Sequence, residues 1–393
     1  MGQGGIRGNI QRNLEEEMTQ HLDLRHRIAL EMARSLRKQK VEGHPLKQLF
    51  WECTLKCNLS CRHCGSDCKA VSKVQDMPAE DFLKVLSRIK EVYDPHKLMV
   101  IVTGGEPLMR KDLESCGREI YRMGFPWGMV SNGFMLTEER FHSLLAAGLH
   151  SLTISLDGLE EDHDWMRGRQ GSFERASEAI RMVCEYNRAC LDRGDAVGFK
   201  SLVATDAVAF DVVTCVNRRS YPHLGEIKQF LIDAGLKSWR LFTVFPVGRG
   251  ALDPELQLPN EDFRGLMEFI KATRKEGRIM AEYGCEGFLG NYEGDVRSHF
   301  FDCEAGISVG SVLADGSISA CASIRSDYCQ GNIYKDDFVD VWENSFAPYR
   351  NREWMRRDQC AGCKYWRYCQ GNGMHLRDAD GKLILCHLSR LEG

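Results

Sequence analysis

Three cysteines with the spacing C-x3-C-x2-C, Cys57, Cys61 and Cys64, directly follow the apolar segment Leu49 to Leu55. That order puts three thiolates on one loop after a strand. Thiolates are the usual ligands of iron–sulfur clusters, and three of them on a four-iron cubane leave one iron open to a substrate or cofactor. A structural zinc knuckle is the alternative, and it needs a fourth thiolate, which Cys53 or Cys68 would supply. A second element, Thr103-Gly104-Gly105-Glu106-Pro107, closes the next apolar segment. Its glycines let backbone approach a ligand closely, and Glu106 can accept hydrogen bonds from an ammonium group. Ser131-Asn132-Gly133 and Ser155-Leu156-Asp157-Gly158 follow later apolar segments, and Arg167 stands in Met166-Arg167-Gly168. Read alone, the Asp-Gly pair is a turn and the Gly-Gly pair another.

A second set of thiols lies near the other end. Cys303 and Cys321 enclose Gly316 as C-x12-G-x4-C, with Ala314-Asp315-Gly316 reading as a hairpin turn. Cys360, Cys363 and Cys369 run as C-x2-C-x5-C, followed by Cys386. Four thiolates suit a zinc ribbon as well as an iron–sulfur cluster. The chain has 17 cysteines, an odd number, and its start carries no apolar core of an export signal, so a disulfide framework is not expected. Cys116, Cys184, Cys190 and Cys215 lack ligand spacing and read as small buried hydrophobes.

These groups need a frame. Residues 12–39 read as a charged amphipathic helix, a lid or docking element, stopped by Gly43 and Pro45. From Leu49, strand-like segments (Leu49–Leu55, 98–103, 127–131, 151–156, 197–204, 239–245) alternate with helical ones (79–93, 112–123, 137–147, 172–190, 223–234). Such alternation predicts parallel strands with crossover helices. About six repeats, fewer than the eight of a closed barrel, give an α/β fold built on a partial, open (β/α)6 TIM-like barrel with its chemistry at the C-terminal ends of the strands. One further helix is expected at 260–276. The expected divisions are an N-terminal helical extension (1–47), the barrel (48–250), a bridging region (251–298) and a cysteine-rich domain (299–393).

The Cys57–Cys64 array with His63 before its last cysteine, together with the Gly104-Gly105-Glu106 turn, resembles the radical S-adenosylmethionine (radical SAM) superfamily. The C-terminal array resembles its SPASM domain, found in peptide- and protein-modifying members. The resemblance covers about residues 48–390. It implies an iron–sulfur-dependent, oxidoreductase-type enzyme that cleaves S-adenosyl-L-methionine reductively to a 5′-deoxyadenosyl radical, on a 4Fe-4S cluster held by Cys57, Cys61 and Cys64. Gly104, Gly105 and Glu106 would then hold the methionine amino group. Ser131, Asn132, Ser155 and Asp157 would contact ribose and carboxylate, with Arg167 pairing the carboxylate. Cys360, Cys363, Cys369 and Cys386 would hold one auxiliary cluster, and Cys303 and Cys321 would contribute to another.

The family's further cysteine, four residues after Cys369, is here Gly373. Cys285, Cys329 or His375 could stand in, Cys285 being preferred, or the cluster keeps an open iron. Ala322 stands where sulfatase-maturating members carry an acidic base, which disfavours formylglycine formation. The N-terminal 47 residues are too few for the peptide-recognition domain of many relatives.

The implied activity is hydrogen abstraction from a peptide or small protein, a post-translational maturation, served by an electron donor such as flavodoxin or ferredoxin. No residue is singled out as the general base. The alternatives are radical modification of a small molecule or tetrapyrrole, and a non-catalytic metal-binding or electron-transfer protein. Lys plus Arg number 52 against 56 Asp plus Glu, a net charge of -4, so no broad basic field is offered to nucleic acid or anionic lipid. No apolar run reaches the roughly 18–20 residues of a membrane span, and a cytoplasmic location is expected.

Overall fold

The computed structural model describes residues 22–66, 68–193, 207–285, 287–324 and 328–392. Its frame is one ten-stranded sheet of order β10-β9-β8-β1-β2-β3-β4-β5-β6-β7. Seven strands, β1 (Gln48–Thr54), β2 (Met99–Gly104), β3 (Trp127–Ser131), β4 (Leu149–Ser155), β5 (Ala209–Val216), β6 (Ser238–Thr243) and β7 (Met280–Tyr283), run parallel in sequence order. Parallel pairing brings every strand's C-terminal end to one rim, which places all the candidate loops together.

The connecting helices are amphipathic. In chain order after the N-terminal helix α1 (Leu24–Gly43) come α2 (Ala79–Lys90), α3 (Leu113–Arg122), α4 (Glu138–Ala146), α5 (Glu160–Arg167), α6 (Ser172–Asp192), α7 (Leu224–Asp233) and α8 (Asn260–Glu276). Helix α2 buries Phe82, Val85, Leu86 and Ile89, the i, i+3, i+4, i+7 stripe of a helix laid on a sheet. Phe82 stacks on Trp51 of β1 with ring centroids 4.4 Å apart.

The expected open barrel is present, with β1 to β6 as its six units, and it is extended at both edges. Strand β7 lies in the stretch expected as a bridge. On the far edge β8 (Val309–Val312) pairs parallel with β1, and β9 (Ser317–Ser319) and β10 (Gly331–Asn332) continue antiparallel. The buried Glu52 carboxylate of β1 accepts the Ala314 N–H at 3.1 Å, tying the β8–β9 turn to the barrel. Residues 197–204, expected as a strand, lie outside the described residues, and the fifth strand begins at Ala209. Residues 12–21 of the expected first helix are likewise outside them.

Helix α1 packs on the C-terminal region through Leu30 and Arg37, and it leaves Leu24, Ile28, Met32 and Leu36 exposed. Short helices α9 (Phe338–Asn344), α10 (Ala347–Arg350), α11 (Trp366–Cys369) and α12 (His387–Glu392) complete the chain. No helix among the described residues is long and apolar enough to cross a membrane.

Candidate functional site

The loop after β1 carries Cys57, Cys61 and Cys64 into one buried cluster with Leu59 and Cys68. Main-chain contacts from three remote segments hold it. Cys57 N donates to Lys69 O at 2.8 Å, and Arg62 N donates to Met166 O at 2.8 Å. Arg249 Nε donates to Cys61 O at 2.7 Å, while its backbone N–H donates to Cys64 O at 3.0 Å. Gly248 (φ 57°) permits that approach, since a Cβ there would lie 2.5 Å from Gly65 O. The thiols are unequal. Burial pushes Cys57 up to about 11 and also raises Cys61, whereas a hydrogen bond with Cys68, outweighing burial, pulls Cys64 down to about 5.

The glycine turn after β2 lies directly on this loop. A register shift between Glu52 and Thr54 sets Gly104 against Thr54. Gly105 N then donates to Thr54 O at 2.8 Å, and Glu106 N to Lys56 O at 2.9 Å. A Cβ on Gly104 would stand 2.2 Å from Thr54 O, and one on Gly105 2.1 Å from Lys56 O, so both positions require glycine for the close approach. The Glu106 side chain is buried at 1% exposure. Its carboxylate accepts from Ser131 Oγ and Asn132 N, both at 2.8 Å, and from Leu108 N at 3.2 Å. Burial nevertheless raises its pKa. Asn132 donates through Nδ2 to Asn58 Oδ1 at 2.8 Å, and the same nitrogen stands 3.9 Å from Cys57 Sγ. Glu106 therefore positions the Ser131–Asn132 pair beside the thiols.

From β4, Asp157 points into the same rim with no exposure. Its Oδ1 accepts Cys215 N at 2.9 Å, and its Oδ2 forms an ion pair with Arg167 Nε at 2.8 Å. Arg167, at the end of α5, also brings Nη1 to 3.6 Å from Cys61 Sγ. Burial alone would raise the Asp157 carboxyl, but the adjacent Arg167 charge, aided by the Cys215 N–H bond, outweighs it and holds it low. His63 Nε2 lies 3.8 Å from Asp157 Oδ2, and burial pulls this imidazole down to about 4. Ser155 is buried at the same strand end. Among the described residues, His63 Nδ1 and Asn58 Nδ2 are buried without a hydrogen-bond partner, while Asp157 Oδ2 and Arg167 Nε meet each other at 2.8 Å. Buried polar atoms with unused bonding capacity, beside three soft donors and a glycine cradle, fit a bound metal–sulfur group with a polar ligand on it.

The C-terminal thiols gather in two places. Cys360, Cys363, Cys369 and Cys386 lie within one another's fields. Cys360 Sγ accepts Arg377 Nη2 at 3.5 Å, and Cys369 Sγ accepts Asn372 N at 3.2 Å. Burial pushes Cys369 up to about 12. Cys303, Cys321 and Cys329 surround Tyr349, whose phenol their charges and, first, its burial push up.

Cys285, the preferred stand-in for the missing ligand, is placed elsewhere. It lies two residues beyond the end of β7, and its sulfur accepts Thr243 N, at the end of β6, at 3.3 Å. Cys303 and Cys321 flank β8 and β9 at the opposite end of the strand order. Cys329 takes the place beside them. It precedes β10, which pairs with β9 next to Cys321, and no spacing motif signals that return. Arg249 and Cys215 also belong to the rim without having been singled out; Arg249's only signal is its place in the Gly-rich break after β6. His375 meets Phe245 ring to ring, centroids 5.0 Å apart.

Comparison with known proteins matches residues 51–195 to the Radical SAM superfamily and residues 303–364 to SPASM, an iron-sulfur cluster-binding domain. An AdoMet-dependent heme synthase of Oleidesulfovibrio alaskensis is 25% identical over 88% of this chain and 86% of its own. The mycofactocin maturase MftC of Mycolicibacterium smegmatis is 28% identical over 83% of this chain and 77% of its own. The crystal structure of Streptococcus suis SuiB bound to S-adenosylmethionine superposes with a TM-score of 0.62, at 16% identity, over 94% of this chain and 82% of that one. That last likeness is one of fold.

Proposed function

The chain belongs to the radical SAM superfamily and carries a SPASM domain, and from that premise we propose that it modifies a peptide or small protein by radical hydrogen abstraction. A radical SAM enzyme uses S-adenosyl-L-methionine and a 4Fe-4S cluster, and a SPASM domain binds auxiliary clusters. The cluster, when bound, supplies the electron that splits the sulfonium. Cys57, Cys61 and Cys64 hold it in this reading. Asn132 and Arg167 donate toward its sulfurs, and Glu106 fixes the Ser131–Asn132 backbone that faces the cofactor. The Gly104–Gly105 turn brings main chain within reach of the methionine moiety, and Asp157 keeps Arg167 oriented. In the C-terminal region, Cys360, Cys363, Cys369 and Cys386 form one auxiliary site and Cys303, Cys321 and Cys329 a second.

The observation that carries the cofactor assignment is the Arg167 bridge, one buried cation reaching both Cys61 Sγ and Asp157. For the substrate class, the argument is the engagement of the rim arginines. Arg167 pairs with Asp157, Arg219 with Asp162, and Arg249 binds Cys61 O and Cys68 O. A tetrapyrrole carries carboxylates that need cations of their own, whereas a peptide backbone does not. The tetrapyrrole reading is favoured by the relatives: AdoMet-dependent heme synthases of three organisms, an Fe-coproporphyrin III synthase and a pre-heme d1 synthase each match more than four fifths of this chain.

Anaerobic reconstitution tests both. The expected result is 5′-deoxyadenosine released by reduced enzyme and a mass change in a candidate peptide, read by intact mass. Turnover of an iron porphyrin with no peptide modified by any candidate would replace the peptide reading. A protein that returns zinc and no 5′-deoxyadenosine would overturn the cofactor assignment.

A further inference from the structure

Arg37 lies in α1, outside both matched segments, and it is 5% exposed. Its Nε stands 3.1 Å from Asp302 Oδ1 but out of hydrogen-bonding line, and Nη1 and Nη2 have no hydrogen-bond partner among the described residues. A guanidinium carries five donors, and leaving them all unmade in the interior is costly. Its charge acts on both Cys303 and Cys369, one thiol of each C-terminal site, and its Asp302 neighbour directly precedes Cys303 in the chain.

The surrounding charges do not cancel. Lys40 Nζ binds both Asp302, at 2.6 Å, and Glu304. Arg352, 4% exposed, donates Nη2 to Cys303 O at 3.0 Å and adds a further cation. Arg37, Lys40 and Arg352 thus face Asp302 and Glu304 with one positive charge in surplus. Burial and the Arg352 charge pull the Arg37 guanidinium down to about 10, which still leaves it charged at neutral pH. A buried surplus cation requires an anion. A thiolate-ligated iron–sulfur cluster is anionic, and its sulfides and thiolates accept N–H bonds.

We propose that Arg37 is seated between the two auxiliary clusters, donates hydrogen bonds to their sulfurs, and raises their reduction potentials by stabilising the more negative, reduced state. Helix α1 is the device that inserts it. Glu31 of the same helix accepts Tyr368 Oη at 2.8 Å and pairs with Arg367, fastening the helix over the segment that ends in Cys369. Arg37 is on this account a positioning and tuning residue, and the account rests on the iron–sulfur reading of the C-terminal thiols.

The test is a redox titration of anaerobic holoenzyme followed by electron paramagnetic resonance, with iron and sulfide counted per chain. In Arg37→Gln the auxiliary midpoints move to more negative potential, while the N-proximal cluster keeps its midpoint and its response to S-adenosyl-L-methionine. Asp302→Asn moves the auxiliary midpoints the other way, and Arg37→Lys falls between wild type and Arg37→Gln. These two variants carry the test if Arg37→Gln does not fold. Auxiliary midpoints unmoved at full iron content overturn the role of Arg37 alone. Wild-type protein holding iron only at the N-proximal triad overturns the auxiliary-site reading, and this inference with it.

Discussion

The thiols at the two ends of the chain are organised in opposite ways. Cys57, Cys61 and Cys64 come from one short loop, and remote segments grip that loop by its main chain, at Lys69 O, Met166 O and Arg249. The C-terminal thiols come from residues scattered between Cys303 and Cys386, and guanidinium groups approach them through side chains, as Arg377 does at Cys360. The first arrangement fixes the backbone of one loop. Burial raises thiols in both places, Cys57 and Cys61 in the first and Cys360 and Cys369 in the second, so the contrast lies in how the thiols are brought together. One site is therefore built on strand ends around a single loop, and the other by tertiary packing that gathers thiols from distant segments.

The largest expected effect separates the two regions outright. Replacing Cys57, Cys61 and Cys64 together by Ala abolishes 5′-deoxyadenosine formation and removes one cluster's worth of iron. The C-terminal clusters stay, read as remaining iron and sulfide per chain. Loss of all iron would show that the regions are not independent.

Asp157→Ala comes next. It strands the buried Arg167 charge beside Cys61, and breaking a buried pair of this kind costs about 3–5 kcal/mol. Chemical denaturation of the apoprotein reads that loss, and cleavage of S-adenosyl-L-methionine falls with it. A loss below about 1 kcal/mol would mean that solvent reaches the pair.

A smaller effect discriminates within the C-terminal region. Cys329→Ala lowers the auxiliary iron content and leaves uncoupled cofactor cleavage in place, whereas Cys285→Ala leaves the iron unchanged. The reverse result would return Cys285 to the ligand set.

How far the sequence carried each region follows from the same contrast. The loop triad was legible because its members are adjacent in the chain, and the strand-end residues were legible because parallel pairing brings every strand end to one rim. Helix α8 is found over the expected 260–276 span, where Phe263, Leu266, Met267 and Ile270 face inward and Gly277 (φ 75°) ends it. Cys329 was legible only as one of three candidate stand-ins, with Cys285 preferred, and Arg37 was not legible at all. Each reaches its site through tertiary packing, β10 returning onto β9 and α1 crossing the C-terminal thiols, and neither path leaves a period or a spacing in the chain. Strand β7 was missed because four residues are too short for a pattern. The β8–β9 hairpin was legible as a turn at Gly316 but not as an edge of the barrel sheet.

The smallest effect probes what holds the triad's loop from outside. Asp164 of α5 accepts Gly171 N at 2.6 Å, and Ser172 Oγ and Phe173 N at 2.8 Å, so it caps α6 and fixes the α5–α6 corner. That corner supplies Met166 O and Arg167 O to the thiol loop. Burial would raise the Asp164 carboxyl, but these three hydrogen bonds outweigh it and hold it below its ordinary value of 3.8. A lowered folded value means that the ionised carboxylate stabilises the fold, fully above 3.8, with the contribution lost as pH falls through the folded value. Asp164→Ala therefore costs about 1–2 kcal/mol at neutral pH, as loss of a capping carboxylate does. The difference from wild type shrinks only below about pH 4. Iron at the N-proximal site becomes easier to chelate in this variant, while C-terminal iron keeps its wild-type release rate. Equal acceleration at both ends would mean that the corner supports the whole barrel, and the division between a gripped loop and thiols gathered from distant segments would fail.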